Sequence, residues 1–113
     1  MTEVKILTAF VPTHKGEAVF IHISLSGLIE TSEIPKVVKE VKKVEKRKSV
    51  VGKPVIISGR LPVWLYVAVA DIFHPHRWIA TYDPRIGGGV VAVTHDPKTK
   101  IGEVIPVEFP FEE

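Results

Sequence analysis

Apolar residues along this chain change their spacing several times, and each change marks an element. Val19, Ile21, Ile23 and Leu25 alternate with Phe20, His22 and Ser24, the two-residue period of a strand. Glu3 to Val11 reads as an earlier strand, and the turn Pro12 to Gly16 joins the two as an antiparallel hairpin. Ser24 to Gly27 then opens a loop. From Ile34 the period lengthens, with Ile34, Val37, Val38, Val41 and Val44 at helical spacing, so the segment to about Lys48 predicts an amphipathic helix with its lysines outward. Val51-Gly52 breaks the pattern. Pro54 to Ser58 follows, and its Val55-Ile56-Ile57 run is the composition of a strand buried on both faces of a parallel sheet. Leu61 to Phe73 is almost wholly apolar and predicts a second helix, buried against the sheet or a subunit partner. His74-Pro75-His76 ends it, because proline drives the residue before it out of the helical region. Arg77 to Asp83, Val90 to Thr94 and Glu103 to Phe109 predict three further strands, separated by the glycine-rich turn Pro84 to Gly89 and the polar loop Asp96 to Gly102.

The resulting order is β-β-α-β-α-β-β-β. Its central strand-helix-strand unit sets two strands parallel with a right-handed crossover. The expected fold is therefore α/β, a small Rossmann-like mixed sheet with two helices, in one domain over residues 1–113. Ligands of such sheets bind at the carboxyl ends of the parallel strands. Ser58-Gly59-Arg60 and Asp83-Pro84-Arg85 are expected on that edge, and His74 and His76 near the opposite one.

Composition narrows the chemistry. With no cysteine there is neither a disulfide framework nor a zinc-cysteine site, leaving His, Asp and Glu as the strong metal ligands. Asn and Gln are absent too, and there is one Met, a depletion that points to a thermophilic source. The missing amides mean that any nucleobase must be read by backbone, hydroxyls, histidines or stacking. No long apolar run or leader is present, so a soluble cytoplasmic protein with no membrane partner is expected. The net charge of +2 is unevenly spread, with eight of the fifteen basic residues between Lys36 and Lys53. That helix reads as a solvated lysine face or as an attractor for polyanions.

The junction Val55-Ile-Ile-Ser58-Gly59-Arg60-Leu61-Pro62 carries the clearest chemical signal. Pro62 suits the first turn of a helix, whose free N–H groups and positive dipole end would face whatever lies beyond the strand. Ser58 adds a hydroxyl, Gly59 lets backbone approach closely, and Arg60 offers a fork of donors to phosphate oxygens. The plainer alternative makes Ser58 a helix cap and Arg60 a surface charge. His74 and His76 can face the same way if extended, or form a solvated loop pair. Asp83-Pro84 suits a type I turn before any function is invoked. Gly87-Gly88-Gly89 is either a flexible hairpin tip or a place where backbone approaches a phosphodiester ring.

Taken together, Val55 to Arg60, Pro62-Val-Trp64-Leu65, His74, Tyr82-Asp83-Pro84-Arg85-Ile-Gly87, Val90-Val91 and His95 resemble a small CRISPR-associated family, over roughly residues 54 to 105. That family is the stand-alone ring nuclease of type III CRISPR systems, also described as a manganese-dependent RNA deadenylase and related to the Rossmann-like (CARF-like) ligand-sensing domains of those systems. The chain departs from that resemblance at Leu61, which stands where the family's pattern has a glycine, and at Asp71, which stands where it has a histidine. His95 aligns only with one extra residue in the glycine run.

The resemblance implies a homodimer, stacking into tetramers or filaments, that binds cyclic tetra-adenylate or short oligoadenylate RNA and cleaves the ring to end the signal. It assigns Ser58, Gly59, Arg60 and His95 to ligand binding and His74, Asp83 and Arg85 to catalysis. It also assigns a Mn²⁺ cofactor to His74 and Asp83. Alternatives are a deadenylase acting on linear RNA and a sensor or sponge that binds the messenger uncut. Twelve helical residues put about 18 Å between Arg60 and His74. A ligand held on the Ser58/Arg60 face of one dimer and attacked from the opposite face of another dimer is therefore expected.

Overall fold

The structure, a computed structural model, describes residues 2–112. A six-stranded sheet is built from β1 (Val4–Thr13), β2 (Gly16–Leu25), β3 (Val55–Ser58), β4 (Trp78–Asp83), β5 (Gly88–Thr94) and β6 (Val104–Pro106). Helix α1 (Ile34–Glu45) joins β2 to β3, and α2 (Val63–Ile72) joins β3 to β4. A 3₁₀ turn at Thr31–Glu33 leads into α1. The predicted element order and the mixed α/β class are those of the structure.

Strands lie in chain order across the sheet, β1 to β6. The pairs β2–β3 and β3–β4 are parallel, and β1–β2, β4–β5 and β5–β6 are antiparallel. Strand order never reverses, so the crevice of a doubly wound sheet is absent. Two crossovers of one hand advancing in one direction put both helices on the same side. Val37, Val41 and Val44 of α1 and Leu65 and Val69 of α2 accordingly share one core with Val19, Ile21, Ile23, Val55, Ile57 and Ile79.

The pleat sends the intervening residues to the other face, where Phe20, Ile56, Trp78, Ala80, Val91 and Ile105 form a second core. No helix covers it. Val107, Phe109 and Phe111 of the C-terminal segment pack there instead.

Several boundaries move for identifiable reasons. β1 continues through Pro12 to Thr13 because it is an edge strand, where proline forfeits no ladder bond. β6 stops at Pro106 rather than Phe109, and Val107 to Glu112 runs on without ladder pairing. Gly88 and Gly89 belong to β5 and are buried, opposite Asp83 and Tyr82. A Cβ on Gly88 would sit 2.6 Å from the Ile105 carbonyl oxygen, so strand packing demands this glycine and neither a flexible tip nor a ligand does. Helix α2 is buried on one face only: Val63 and Val67 are 80% and 66% exposed. In a two-layer fold a short helix meets the sheet along a single stripe, whatever its composition.

Candidate functional site

The site begins with the register of β2, β3 and β4. His22 pairs with Ser58 across the parallel β2–β3 ladder, and Tyr82 follows Thr81, the partner of Ile57. Along each strand these residues come two after Phe20, Ile56 and Ala80, so they share the tail-covered face. The apolar face thus turns polar at its carboxyl edge. There His22, Ser24, Ser58, Gly59, Arg60, Tyr82 and Pro84 line a cavity of about 590 Å³, walled by Phe109, Phe111 and Glu112 of the tail. That volume is within the usual range for small-ligand sites, about 300–1,000 Å³.

Ser58 is buried, and its Oγ lies 2.9 Å from His22 Nδ1. Burial lowers the His22 pKa from its ordinary value, which favours the neutral imidazole. Gly59 has φ +146°, and a Cβ there would stand 2.4 Å from the Ile23 carbonyl oxygen. Its freedom is therefore spent on a close approach to the β2 backbone, rather than on a ligand. The Tyr66 hydroxyl donates to the Gly59 carbonyl and holds the turn from inside α2, and burial raises the Tyr66 pKa. Pro62 is the helix N-cap, one position earlier than expected. Leu65 and Tyr66 make the first bonds of the helix, to the Pro62 carbonyl. Arg60 lines the cavity, and the α2 N-cap follows it two residues later in the chain, outside the cavity lining.

Asp83 and Arg85 lie on this edge, as expected, but they engage each other. Arg85 Nη2 donates to Asp83 Oδ2 at 3.0 Å, and the Arg85 backbone N–H donates to Oδ1 at 2.9 Å. The guanidinium hydrogen bond, seconded by that backbone bond, holds the Asp83 carboxyl below its usual pKa. Arg85 remains 89% exposed.

His74 and His95 meet at the opposite edge. Their rings lie 5.3 Å apart, edge to face, and His95 Nε2 donates to the His74 carbonyl at 2.8 Å. Neutral His95 thus keeps Nδ1 as an acceptor. His95 is accordingly parted from Ser58, Gly59 and Arg60, the residues grouped with it by sequence. His76 does not face the same way as His74: it is buried, with Nδ1 donating to the Lys53 carbonyl at 2.7 Å and Nε2 2.9 Å from Glu45 Oε2. It ties β4 to the end of α1.

A strand of six residues separates His74 from Asp83, a span of about 17 Å, so one chain does not bring these two to one metal ion. Among the described residues no group of three or more His, Asp or Glu side chains could hold one. The residues present in one chain therefore do not fit a manganese centre. Also among the described residues, no helix is long and apolar enough to cross a membrane.

His22, Tyr66, Phe109 and Phe111 are contributions that the sequence reading did not single out. The period-2 pattern of β2 puts His22 on the same face as Phe20, a signal that one charged-capable residue ends an apolar row. Nothing local marks the tail aromatics.

A curated relative from Aquifex aeolicus (strain VF5), described as an uncharacterized protein, is 44% identical over 54 residues, covering 48% of this chain and 49% of the relative. The alignment thus spans about half the length of that relative. The family model for the CRISPR-associated protein Cas_csx3 matches residues 22–106, from His22 in β2 to the last residue of β6. On that match, which takes in the Ser58-Gly59-Arg60 junction and all three parallel strands from His22 onward, the chain belongs to the Cas_csx3 family of CRISPR-associated proteins.

Proposed function

We propose that this protein is a ring nuclease that binds cyclic tetra-adenylate and cleaves it, ending a type III CRISPR signal. The observation that carries the reading is the cavity at the carboxyl ends of β2, β3 and β4, lined by Ser58, Gly59 and Arg60, with the α2 N-terminus following two residues after Arg60 in the chain. These are donors suited to phosphate, in a protein of a CRISPR-associated family.

Cleavage of a phosphodiester needs stabilised charge on the phosphoryl oxygens, an aligned nucleophile and a proton for the leaving oxygen. Arg60 and the helix N-terminus supply the first. Proton transfer falls to imidazole, and the exposed pair His74 and His95 stands at the far end of α2 from Arg60. Ligand held by one copy is therefore attacked by the opposite edge of another. Asp83 and Arg85 act from the binding edge, Arg85 toward phosphate and Asp83 as its anchor. A homodimer is part of this reading, supported by the exposed Val63 and Val67 on α2. Manganese, in this reading, would take ligands from more than one chain.

A sensor that holds the messenger without cutting it is the second reading. It is favoured by one observation: Asp83 is already occupied by Arg85. Incubation with cyclic tetra-adenylate, with and without Mn²⁺, followed by chromatography separates the two. Linear or ring-opened adenylate products are expected. Bound but unchanged ring would establish the sensor, and trimming of linear poly(A) with no preference for the ring would establish a deadenylase.

A further inference from the structure

Phosphate binding leaves one side of the cavity unexplained. Besides Ser58 and Arg60 the lining has an aromatic wall, with Tyr82, Phe109 and Phe111 beside His22. Phe109 is fixed within the cluster, edge-on to Phe20 at 5.8 Å and to His22 at 5.0 Å. Phe111 follows at 5.6 Å from Phe109 and lies tilted against His22 at 6.4 Å. The inward side chains are Val107, Phe109 and Phe111, while Glu108, Pro110 and Glu112 are exposed, so the tail is an amphipathic extended segment.

Polar groups within this wall are few and specific. His22 Nδ1 is engaged by Ser58, and Nε2 has no hydrogen-bond partner among the described residues. A neutral imidazole coupled to a hydroxyl can present one donor and one acceptor, in either arrangement, which is the pattern on a purine edge. In a chain without Asn or Gln, that role has no amide to fill it. Charge orients a ligand as well: of the lining residues, Arg60 attracts phosphate and the Glu112 carboxylate, on the tail, repels it.

We propose that the C-terminal tail completes a nucleobase subsite, in which a purine base lies against Phe109 and Phe111, His22 and Ser58 bond its edge, and its phosphate reaches Arg60. The proposal rests on the oligoadenylate reading and deepens it. The family match ends at Pro106, so Phe109 and Phe111, the tail's share of this wall, lie outside the matched segment, whereas His22 and Tyr82 lie within it.

Calorimetric titration with adenosine 5′-monophosphate and with ribose 5-phosphate tests it. Loss of one base–aromatic stack weakens binding about 5- to 150-fold, so Phe111→Ala is expected to lose that much affinity for the nucleotide. Ribose 5-phosphate, which has no base, is expected to bind wild type and variant alike, whereas Arg60→Ala weakens both ligands. Phe111→Tyr is expected to keep nucleotide affinity. Should Phe111→Ala melt below the assay temperature, Phe111→Leu removes the aromatic face while keeping volume and is read in the same way. Equal nucleotide affinity in wild type and folded Phe111→Ala overturns the subsite. If cyclic tetra-adenylate still binds both, the oligoadenylate reading survives that loss. If neither nucleotide binds wild type, both fall.

Discussion

Ser58 and His22 meet across the parallel β2–β3 ladder, with Oγ and Nδ1 2.9 Å apart, at the point where an apolar sheet face becomes a polar cavity edge. The contact is a consequence of register: a one-residue slip of β3 would turn Ser58 to the helix side and present Ile57 to the cavity.

Burial disfavours the charged form of His22, which makes its contribution to stability depend on pH in a definite direction. A pKa lowered from 6.5 means that the unfolded chain binds more protons than the native one as pH falls below that value. Stability should therefore be retained above about pH 6.5 and decline below it. Denaturant melts at several pH values should show a shallower decline below that point in His22→Gln than in wild type. Parallel curves for the two proteins would disprove it.

Gly59→Ala combines an unfavourable φ with a 2.4 Å approach to the Ile23 carbonyl oxygen. A loss of about 3 kcal/mol is expected, the upper end of the range for strained backbone. Thermal unfolding would check it, and Gly27→Ala, with nothing within 4 Å, serves as the near-neutral control.

His76 and His74, two residues apart, should respond oppositely to substitution. His76→Leu leaves the Lys53 carbonyl and Glu45 without their partner and is expected to cost about 2–4 kcal/mol of stability. His74→Ala, at an exposed position, should leave the melting temperature within about a degree or two while slowing ring cleavage about 10²-fold or more. Loss of activity without loss of binding is the signature to look for.

If one copy binds and another cuts, two inactive variants should rescue each other. Arg60→Ala and His74→Ala are each expected to lose about 10²-fold or more in turnover, the usual scale for a charge-stabilising donor or a general acid-base group. Mixed together they should regain much of it, because mixed assemblies contain junctions with an intact Arg60 on one side and an intact His74 on the other. A mixture no more active than its components rules out the shared site.

Manganese provides a concentration-dependent version of the same test. Since His74 and Asp83 lie at opposite ends of β4, titration with Mn²⁺ should show specific binding only at protein concentrations where assemblies form. Tight binding by isolated single chains would contradict that expectation.

Much of this was legible in the linear order of residues. Alternation in β2, the helical spacing of Ile34 to Val44 and the β-branched run Val55 to Ile57 determine element type directly, since each reflects burial of one strand face, one helix stripe or both strand faces. The strand-helix-strand rule then puts Ser58 and Asp83 on one edge and His74 on the other. Sequence by itself could not say that strand order runs straight from β1 to β6, because that depends on which side of the sheet each crossover takes. With both helices on one face, the other needed an apolar cover, and the tail from Val107 to Phe111 met that need. His22 became a cavity residue, and Phe109 and Phe111 a wall, only through contacts between segments far apart in the chain. Long-range packing carries no local signature, so the junction at Ser58 was readable from sequence, while the cavity around it was decided by the tertiary structure.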